Sequence, residues 1–207
     1  EGQDVTVGGR VDVVSGSFVG TSGTSTLGSL AVGSGGTYEF TTGTTIITAN
    51  SGTCWDNNGT VSVSGGAYSG AVVFTGGCNI NTGGTAEAND FYEIQFTGGT
   101  STLITNNLYA NNITVNGGSL DANGQTTGAD DTVYVNDGTF TGGTADHSFG
   151  FMSIDSAGIY SATTGTTEIN SSNSNNQVIL MYNGGLITPN TGTFKIISPG
   201  IEREIAL

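Results

Sequence analysis

The sequence predicts an all-β protein whose chain winds as a parallel β-solenoid (β-helix) with coils of about 19–20 residues. Short strand-like phrases recur at that spacing: Val13 lies 19 positions before Val32, and Val115 lies 20 positions before Val135. A longer stretch also occurs twice, and apolar residues are nowhere spaced as in an amphipathic helix. An antiparallel β-sandwich is the alternative, because it also combines short strands with frequent turns.

The short phrases share one pattern, in which two apolar residues flank a polar one and a turn then leads to a further apolar side chain. They are VDVVSGSF at 11–18, LAVGSGGTY at 30–38, VSVSGGAY at 61–68, ITVNGGSL at 113–120, VYVNDGTF at 133–140 and MSIDSAGIY at 152–160. Because side chains alternate across a strand, the apolar members are expected to face inward and to stack from coil to coil. The expected inward residues are Val11, Val13, Phe18, Leu30, Val32, Tyr38, Ile113, Val115, Leu120, Val133, Val135 and Phe140.

Further short strands and corners are predicted between these phrases. The strands are Thr44–Ile47, Val72–Phe74, Tyr92–Phe96, Thr102–Ile104, Val178–Leu180 and Phe194–Ile197. Asn-Gly pairs mark corners, where both residue types tolerate a positive φ. These pairs are Asn58-Gly59, Asn116-Gly117, Asn123-Gly124 and Asn183-Gly184. Roughly ten coils at about 4.8 Å each would make a rod about 50 Å long.

One stretch occurs twice in similar form: GTYEFTTGTTIIT at 36–48 resembles GIYSATTGTTEIN at 158–170. It belongs to a long repeat in which residues 11–51 match residues 133–173 without a gap, with 15 of 41 positions identical. We interpret the copies as recurring coils with Tyr and Ile inside and β-branched Thr on strands. The predicted domains are a repeat-built solenoid over 1–190 and a C-terminal cap or attachment segment over 191–207.

The composition is poor in charge and acidic overall. Charged residues make up 10% of the chain, against about 25% in ordinary globular domains, and the net charge is −14. This charge repels nucleic-acid backbones and anionic membrane surfaces, so neither is an expected partner. No apolar run is long enough to span a bilayer, and we predict no membrane insertion. Because the chain starts at Glu1 rather than Met, we expect a processed product or a fragment.

The two cysteines, Cys54 and Cys78, are separated by about one coil, so their side chains are expected to stack in neighbouring coils. We predict a disulfide between them, which would stabilise these marginally stable repeats by about 3 kcal/mol. The alternative is two buried thiols. A disulfide fits an extracellular location.

Asp130 and Asp131, with Asp121 and Asp137 nearby, are the candidate metal-binding residues, since Ca²⁺ takes loop oxygens as ligands. Their spacing matches neither an EF-hand loop nor the Gly-Gly-x-Gly-x-Asp nonapeptides of calcium β-rolls. A solvated acidic turn is therefore the preferred interpretation, and no cofactor is predicted.

Catalysis is the least supported class of function. Glu87, Asp90 and Glu93 are the densest carboxylate group of the middle section and would suit a polysaccharide-degrading enzyme. A lyase also needs a basic residue or a cation to stabilise its anionic intermediate. The basic residues of the chain are Arg10, Lys195 and Arg203, far from that group in sequence. We predict no enzymatic activity and no catalytic residue.

His147, the single histidine, lies near no Ser or Cys nucleophile motif, and we expect it in an exposed turn. Trp55, Tyr68, Tyr92 and Tyr109 could form a sugar-binding aromatic ladder. Half of these positions face inward by the coil period, however, so core packing is the better prediction for them.

The stretches LAVGSGGTYEFTTGTTIITANSG, WDNNGTVSVSGG, FYEIQFTGG and LYANNITVNGGSLDANG carry a resemblance. They resemble low-complexity β-strand-repeat (β-solenoid) proteins of environmental bacteriophage virions and of large prokaryotic surface proteins. The resemblance covers most of residues 5–170. It implies a structural role on a virion or extracellular surface and transfers no catalytic residue.

We therefore predict a non-enzymatic structural protein of a virion exterior: a fibre, spike or capsid-decoration subunit that acts as a rigid rod and host-attachment element. The ends of a solenoid must be capped or joined, so self-association or contact with other virion or surface proteins is expected. The alternative is a cell-surface adhesin or extracellular filament subunit that binds glycans or other cells. Both functions place the chain on a virion surface or outside a cell.

Overall fold

The computed structural model describes residues 2–63, 70–83, 91–155, 157–170, 178–182, 184–198 and 201–206. These residues form one sheet of 20 strands and no helix. The strands stack coil upon coil in about eight turns of roughly 20 residues, which confirms the β-solenoid. In the described part of the chain, no helix is long and apolar enough to cross a membrane.

Each coil crosses three stacks of strands, which we call faces A, B and C in chain order. Two long strands run through all three faces: β1 (Val5–Val19) and β2 (Thr24–Phe40). Face A then holds β3 (Thr44–Ile47), β6 (Ala71–Phe74) and β17 (Ile179–Met181). Face B holds β4 (Thr53–Asn57), β7 (Asn79–Asn81), β9 (Thr100–Thr105), β11 (Ser119–Asp121), β13 (Thr139–Thr141), β15 (Ile159–Ser161) and β18 (Leu186–Thr188).

Face C holds β5 (Thr60–Val63), β16 (Thr166–Asn170) and β19 (Thr193–Ser198). Four strands begin on face C and continue onto face A: β8 (Phe91–Phe96), β10 (Leu108–Asn116), β12 (Thr127–Asn136) and β14 (His147–Asp155). Strand β19 still pairs in parallel with β16, whereas β20 (Ile201–Ala206) turns back and pairs antiparallel with β19. Every other described pairing is parallel, so the sandwich alternative is wrong.

The core is a narrow column of apolar side chains that stack along the coil axis, as the alternation predicted. Ten of the twelve expected inward residues are buried, and the other two, Val11 and Phe18, pack against the core from partly buried positions. Aromatic rings stack from coil to coil on face A, where the centroids of Phe74 and Phe96 are 5.4 Å apart. Trp55 is fully buried, with its ring against that of Phe91.

Coil length is less regular than the 19–20-residue phrases suggest. On face B, Leu30 pairs with Trp55 and Trp55 pairs with Ile80, which gives two coils of about 25 residues around the cysteines. These longer coils explain why the chain makes about eight turns instead of the roughly ten expected.

The two copies of the long repeat lie on different faces. Register pairs carry Thr45 of the first copy up face A to Met152. Its counterpart Thr167 instead pairs with His147 on face C. Both copies place Tyr and Ile in the core as predicted, but they are offset by one face. The repeated sequence therefore encodes one type of corner, and the solenoid forms this corner between different pairs of faces.

That corner is held by a buried hydroxyl pair and a tight turn. The hydroxyls of Tyr38 and Thr45 are 2.6 Å apart, and those of Tyr160 and Thr167 are 2.7 Å apart. Burial raises the pKa of both tyrosines, so they remain protonated and can donate. In the turn, the Gly165 amide donates to the Thr163 hydroxyl at 3.0 Å, as Gly43 does to Thr41 in the first copy.

Polar side chains tie each coil to the next at the edges between faces. At the end of each face A strand in three successive coils, a threonine donates both its amide and its hydroxyl to one carbonyl of the preceding coil. These residues are Thr48, Thr75 and Thr97. Nearer face C, buried Asn57 donates to the Thr82 carbonyl at 2.8 Å, and Thr82 donates to the Asn107 carbonyl at 2.6 Å. The polar composition therefore serves inter-coil bonding.

The Asn-Gly corners are confirmed in part. Gly117, Gly124 and Gly184 have positive φ, as does Asn123. Asn58-Gly59 lies at the corner between β4 and β5 as predicted, but Gly59 does not have a positive φ, so that part of the prediction is wrong. A side chain at Gly59 would collide with the carbonyl oxygens of the preceding coil, and glycine is required there for close approach. Asn183 lies outside the described residues.

The structure joins Cys54 to Cys78 through a disulfide with a Cα–Cα distance of 5.8 Å. Both side chains are buried on face B, where they connect two of the longer coils. The bond thus closes a part of the stack in which the coils are longer than the regular period.

We predict that Tyr38→Phe lowers the free energy of unfolding by about 1–2 kcal/mol, because it leaves the buried Thr45 hydroxyl unpaired. Adding Thr45→Val should restore most of the loss, since both polar partners are then gone. Urea unfolding of the two single variants and the double variant measures the coupling. Tyr134→Phe is the matched control, because its hydroxyl is on an exposed residue. Additive losses would contradict the hydroxyl pair.

We also predict that Cys54→Ser with Cys78→Ser lowers the free energy of unfolding by about 3 kcal/mol, the loop-entropy value for this separation. Urea unfolding with and without reductant checks this. Reductant should shift the wild-type midpoint to that of the double variant and leave the variant unchanged. A wild-type midpoint that does not respond to full reduction would contradict a stabilising disulfide.

Candidate functional site

The outward surface of face A carries a groove of about 330 Å³ near the last coils. We call it the tyrosine groove; its lining is Thr114, Asn116, Tyr134, Val135, Asn136, Ser153, Asp155 and Tyr182. Tyr134 points outward because its neighbours Val133 and Val135 point into the core. Tyr182 follows β17, where its amide donates to the Ile154 carbonyl. Tyr134 is 44% exposed and Tyr182 is 48% exposed, so both rings are available to a ligand.

The polar side of the tyrosine groove is a column of amides and a carboxylate. Asn116, Asn136 and Asp155 are register partners in successive coils. Asn136 donates its Nδ2 to Oδ1 of Asn116 at 3.2 Å. Its own Oδ1 is buried and has no hydrogen-bond partner among the described residues. A buried acceptor of this kind is costly unless a donor from outside the chain supplies the missing bond.

A second, larger groove of about 600 Å³ lies on face C. Its lining is Tyr109, Thr126, Gly128, Ala129, Asp130, Ser148, Gly150 and Asn170. The Tyr109 ring lies against Gly128, where an added Cβ would come within 2.6 Å of the ring. Beside it, Lys195 and Glu168 form a partly buried ion pair at 3.7 Å.

The candidate calcium ligands Asp130 and Asp131 are exposed where β12 turns from face C to face A. Asp131 accepts a hydrogen bond from the Thr132 hydroxyl at 3.3 Å. The described residues contain no group of three or more His, Cys, Asp or Glu side chains that could hold a metal ion. The geometry is that of a solvated acidic corner.

The carboxylate group considered for catalysis is only partly described. Glu87 and Asp90 lie outside the described residues. Glu93 is half-buried on face A and accepts a 2.6 Å hydrogen bond from the Gln95 amide. The described geometry gives Glu93 a local structural partner.

His147 lies in the core, so the prediction of an exposed turn is wrong. It is 2% exposed on face C, and its ring stacks on Phe149 with the centroids 5.9 Å apart. Its Nδ1 accepts the Thr127 amide at 3.1 Å, which makes Nε2 the protonated nitrogen that donates to the Gly142 carbonyl at 2.7 Å. Burial lowers the pKa of His147 and outweighs the opposing effect of the Asp146 charge.

The aromatic residues divide between core and surface. Trp55 is in the core as predicted, Tyr92 and Tyr109 are half-buried, and Tyr68 lies outside the described residues. Sequence reasoning missed Tyr134, although the inward prediction for Val133 and Val135 already implied that the residue between them points outward.

We predict that stability falls as the pH is lowered below about 6.5, the value of an unfolded histidine. In that range the unfolded chain binds a proton at His147 that the folded chain excludes, so the unfolding free energy drops by up to about 1.4 kcal/mol per pH unit until the lowered folded pKa is reached. Urea unfolding between pH 7.5 and pH 5 measures the slope. His147→Gln should flatten it, since the chain has no other histidine; an unchanged slope in the variant would contradict the assignment.

Comparison with protein-family models, with curated proteins and with solved structures gives no match for this chain.

Proposed function

We propose that the chain is a non-enzymatic structural rod on an exterior surface, most concretely a fibre, spike or decoration subunit of a virion. The observation that supports this function is the open hydrogen-bonding edge at each end of the coil stack. A parallel solenoid leaves every second backbone group of its terminal strands directed away from the stack. Such an edge invites another β-strand in the same direction.

The first edge is β1, whose described pairing is with β2 alone. It spans all three faces, and it exposes Val14 to 74% and Val19 to 49%. At the other end, β17 and β18 each have one described partner strand, on the side of the preceding coil. Leu186 of β18 is 49% exposed there. On face C the stack ends differently, because β20 covers β19.

Composition supports the exterior location. A disulfide between neighbouring coils persists where the surroundings are oxidising. A chain with few lysines and arginines and a net charge of −14 suits a solvated surface that does not adhere to nucleic acid. The same features suit a virion exterior and a cell surface, and the virion assignment rests on the resemblance described above.

A cell-surface adhesin or filament subunit that binds glycans is the second candidate. The tyrosine groove favours it, because exposed tyrosines beside amide and hydroxyl groups form a surface on which saccharides can stack.

We predict that the wild-type chain forms particles or filaments larger than a trimer, and that Val14→Lys with Val19→Lys reduces them to single chains. Lysine on an edge strand blocks further strand pairing. Mass photometry and negative-stain electron microscopy of both proteins provide the measurement. Ile104→Lys is the matched control, since Ile104 is 39% exposed but lies in the middle of the stack.

A wild-type chain that stays single at micromolar concentration would contradict assembly through the edges. Equal loss of assembly in Ile104→Lys would also contradict it, because that variant leaves both terminal strands intact.

A further inference from the structure

We propose that the tyrosine groove binds an uncharged saccharide. This inference rests on the second candidate function, for which it specifies the ligand class, and does not depend on the structural role. Three observations meet at the groove: two exposed aromatic rings, a buried acceptor without a donor, and a lining that contains no basic side chain.

The aromatic rings define the apolar part of the ligand. Tyr134 and Tyr182 both line the groove and both expose nearly half of their surface. A rigid ring offers a large contact area at low entropic cost, and its negative face attracts C–H groups that carry partial positive charge. The C–H faces of a pyranose ring meet this description. An alkyl ligand would leave the surrounding polar groups unpaired.

The amide column defines the polar part of the ligand. Asn136 Oδ1 needs a donor, because Nδ2 of the same residue already faces Asn116. Its register partner on the other side, Asp155, offers only acceptors as a carboxylate. A ligand hydroxyl group supplies the donor that Asn136 Oδ1 needs, since each hydroxyl donates one hydrogen bond. Ser153 and Thr114 add hydroxyls on either side of Tyr134 in register.

The charge of the lining selects among saccharides. Among the described lining residues Asp155 is the one carboxylate, and neither of the basic side chains described, Arg10 and Lys195, lines the groove. A sulfated, phosphorylated or uronate-containing glycan would bring an anion to this carboxylate on a chain of net charge −14. The ligand is therefore an uncharged sugar chain. The groove volume of about 330 Å³ is at the low end of ligand pockets and suits one or two sugar units at a time.

The face C groove is a poorer site despite its larger volume. Tyr109 lies against Gly128 and is partly buried, and Asn107 lies 3.4 Å from its hydroxyl. Its described lining residues include no second aromatic ring. Tyr109→Ala is thus a matched control, because it removes a tyrosine from a groove on a different face.

The test is a microarray of neutral oligosaccharides (glucans, mannans, galactans and chitin fragments) and acidic ones (uronates and sulfated glycans), followed by calorimetric titration with the strongest neutral binder. Wild type should bind neutral members and not acidic ones. Tyr134→Ala and Tyr182→Ala should each weaken binding roughly ten-fold or more, the loss expected when a central aromatic contact is removed. Tyr109→Ala should bind as wild type does.

Three results would overturn the proposal: no binding to any neutral oligosaccharide, preferred binding of acidic ones, or binding that Tyr109→Ala abolishes and Tyr134→Ala leaves intact. Because Tyr134 and Tyr182 are exposed, loss of fold is not expected, and unchanged urea midpoints for the variants confirm that the comparison is valid. Binding is read on single immobilised chains, so a failure to assemble does not affect the result.

Discussion

The hydrogen bonds between successive coils are the interaction on which the rest of the structure depends. The interior of the solenoid is narrow and has little apolar volume. The backbone hydrogen bonds between coils must therefore be nearly complete for the stack to be stable. Thr48, Thr75 and Thr97 each place two donors on one carbonyl of the preceding coil. The Asn57–Thr82–Asn107 series extends the same bonding into the interior. A sequence rich in Thr, Asn and Gly follows from this geometry.

The need for bonding between coils also explains the parts of the structure that depart from the regular coil length. Where the coils lengthen to about 25 residues, the disulfide of Cys54 and Cys78 connects them covalently. Where corners bring backbones together, a Cβ at Gly59 would meet a carbonyl oxygen of the coil below. Among the described residues the ladder ends at β1 and, at the other end, at β17 and β18, and our functional proposal follows from these edges. Side chains that point outward take no part in the backbone hydrogen bonds, so a side chain such as that of Tyr134 is available to a ligand.

Much of this fold could be predicted from the sequence because a strand's alternation is local. Val133 and Val135 were identified as inward from their spacing alone, and the same spacing implies that Tyr134 is exposed. His147 was misplaced because its burial depends on Thr127 and Gly142, residues that only the coil path brings to its two ring nitrogens. The offset of one face between the two copies of the long repeat could not be predicted from the sequence either. It arises from the accumulated lengths of five intervening coils, which no single phrase encodes. Tyr182 joins the tyrosine groove for the same reason.

Amide hydrogen–deuterium exchange, read peptide by peptide, tests the central claim most directly. If inter-coil bonds carry the fold and terminate at open edges, amides in residues 91–155 should exchange slowest and those in β1, β17 and β18 fastest. Raising the protein concentration should then protect the three edge strands and leave the middle coils unchanged. Edge strands that are already as protected as the middle coils in single chains, or that gain no protection at high concentration, would contradict the account.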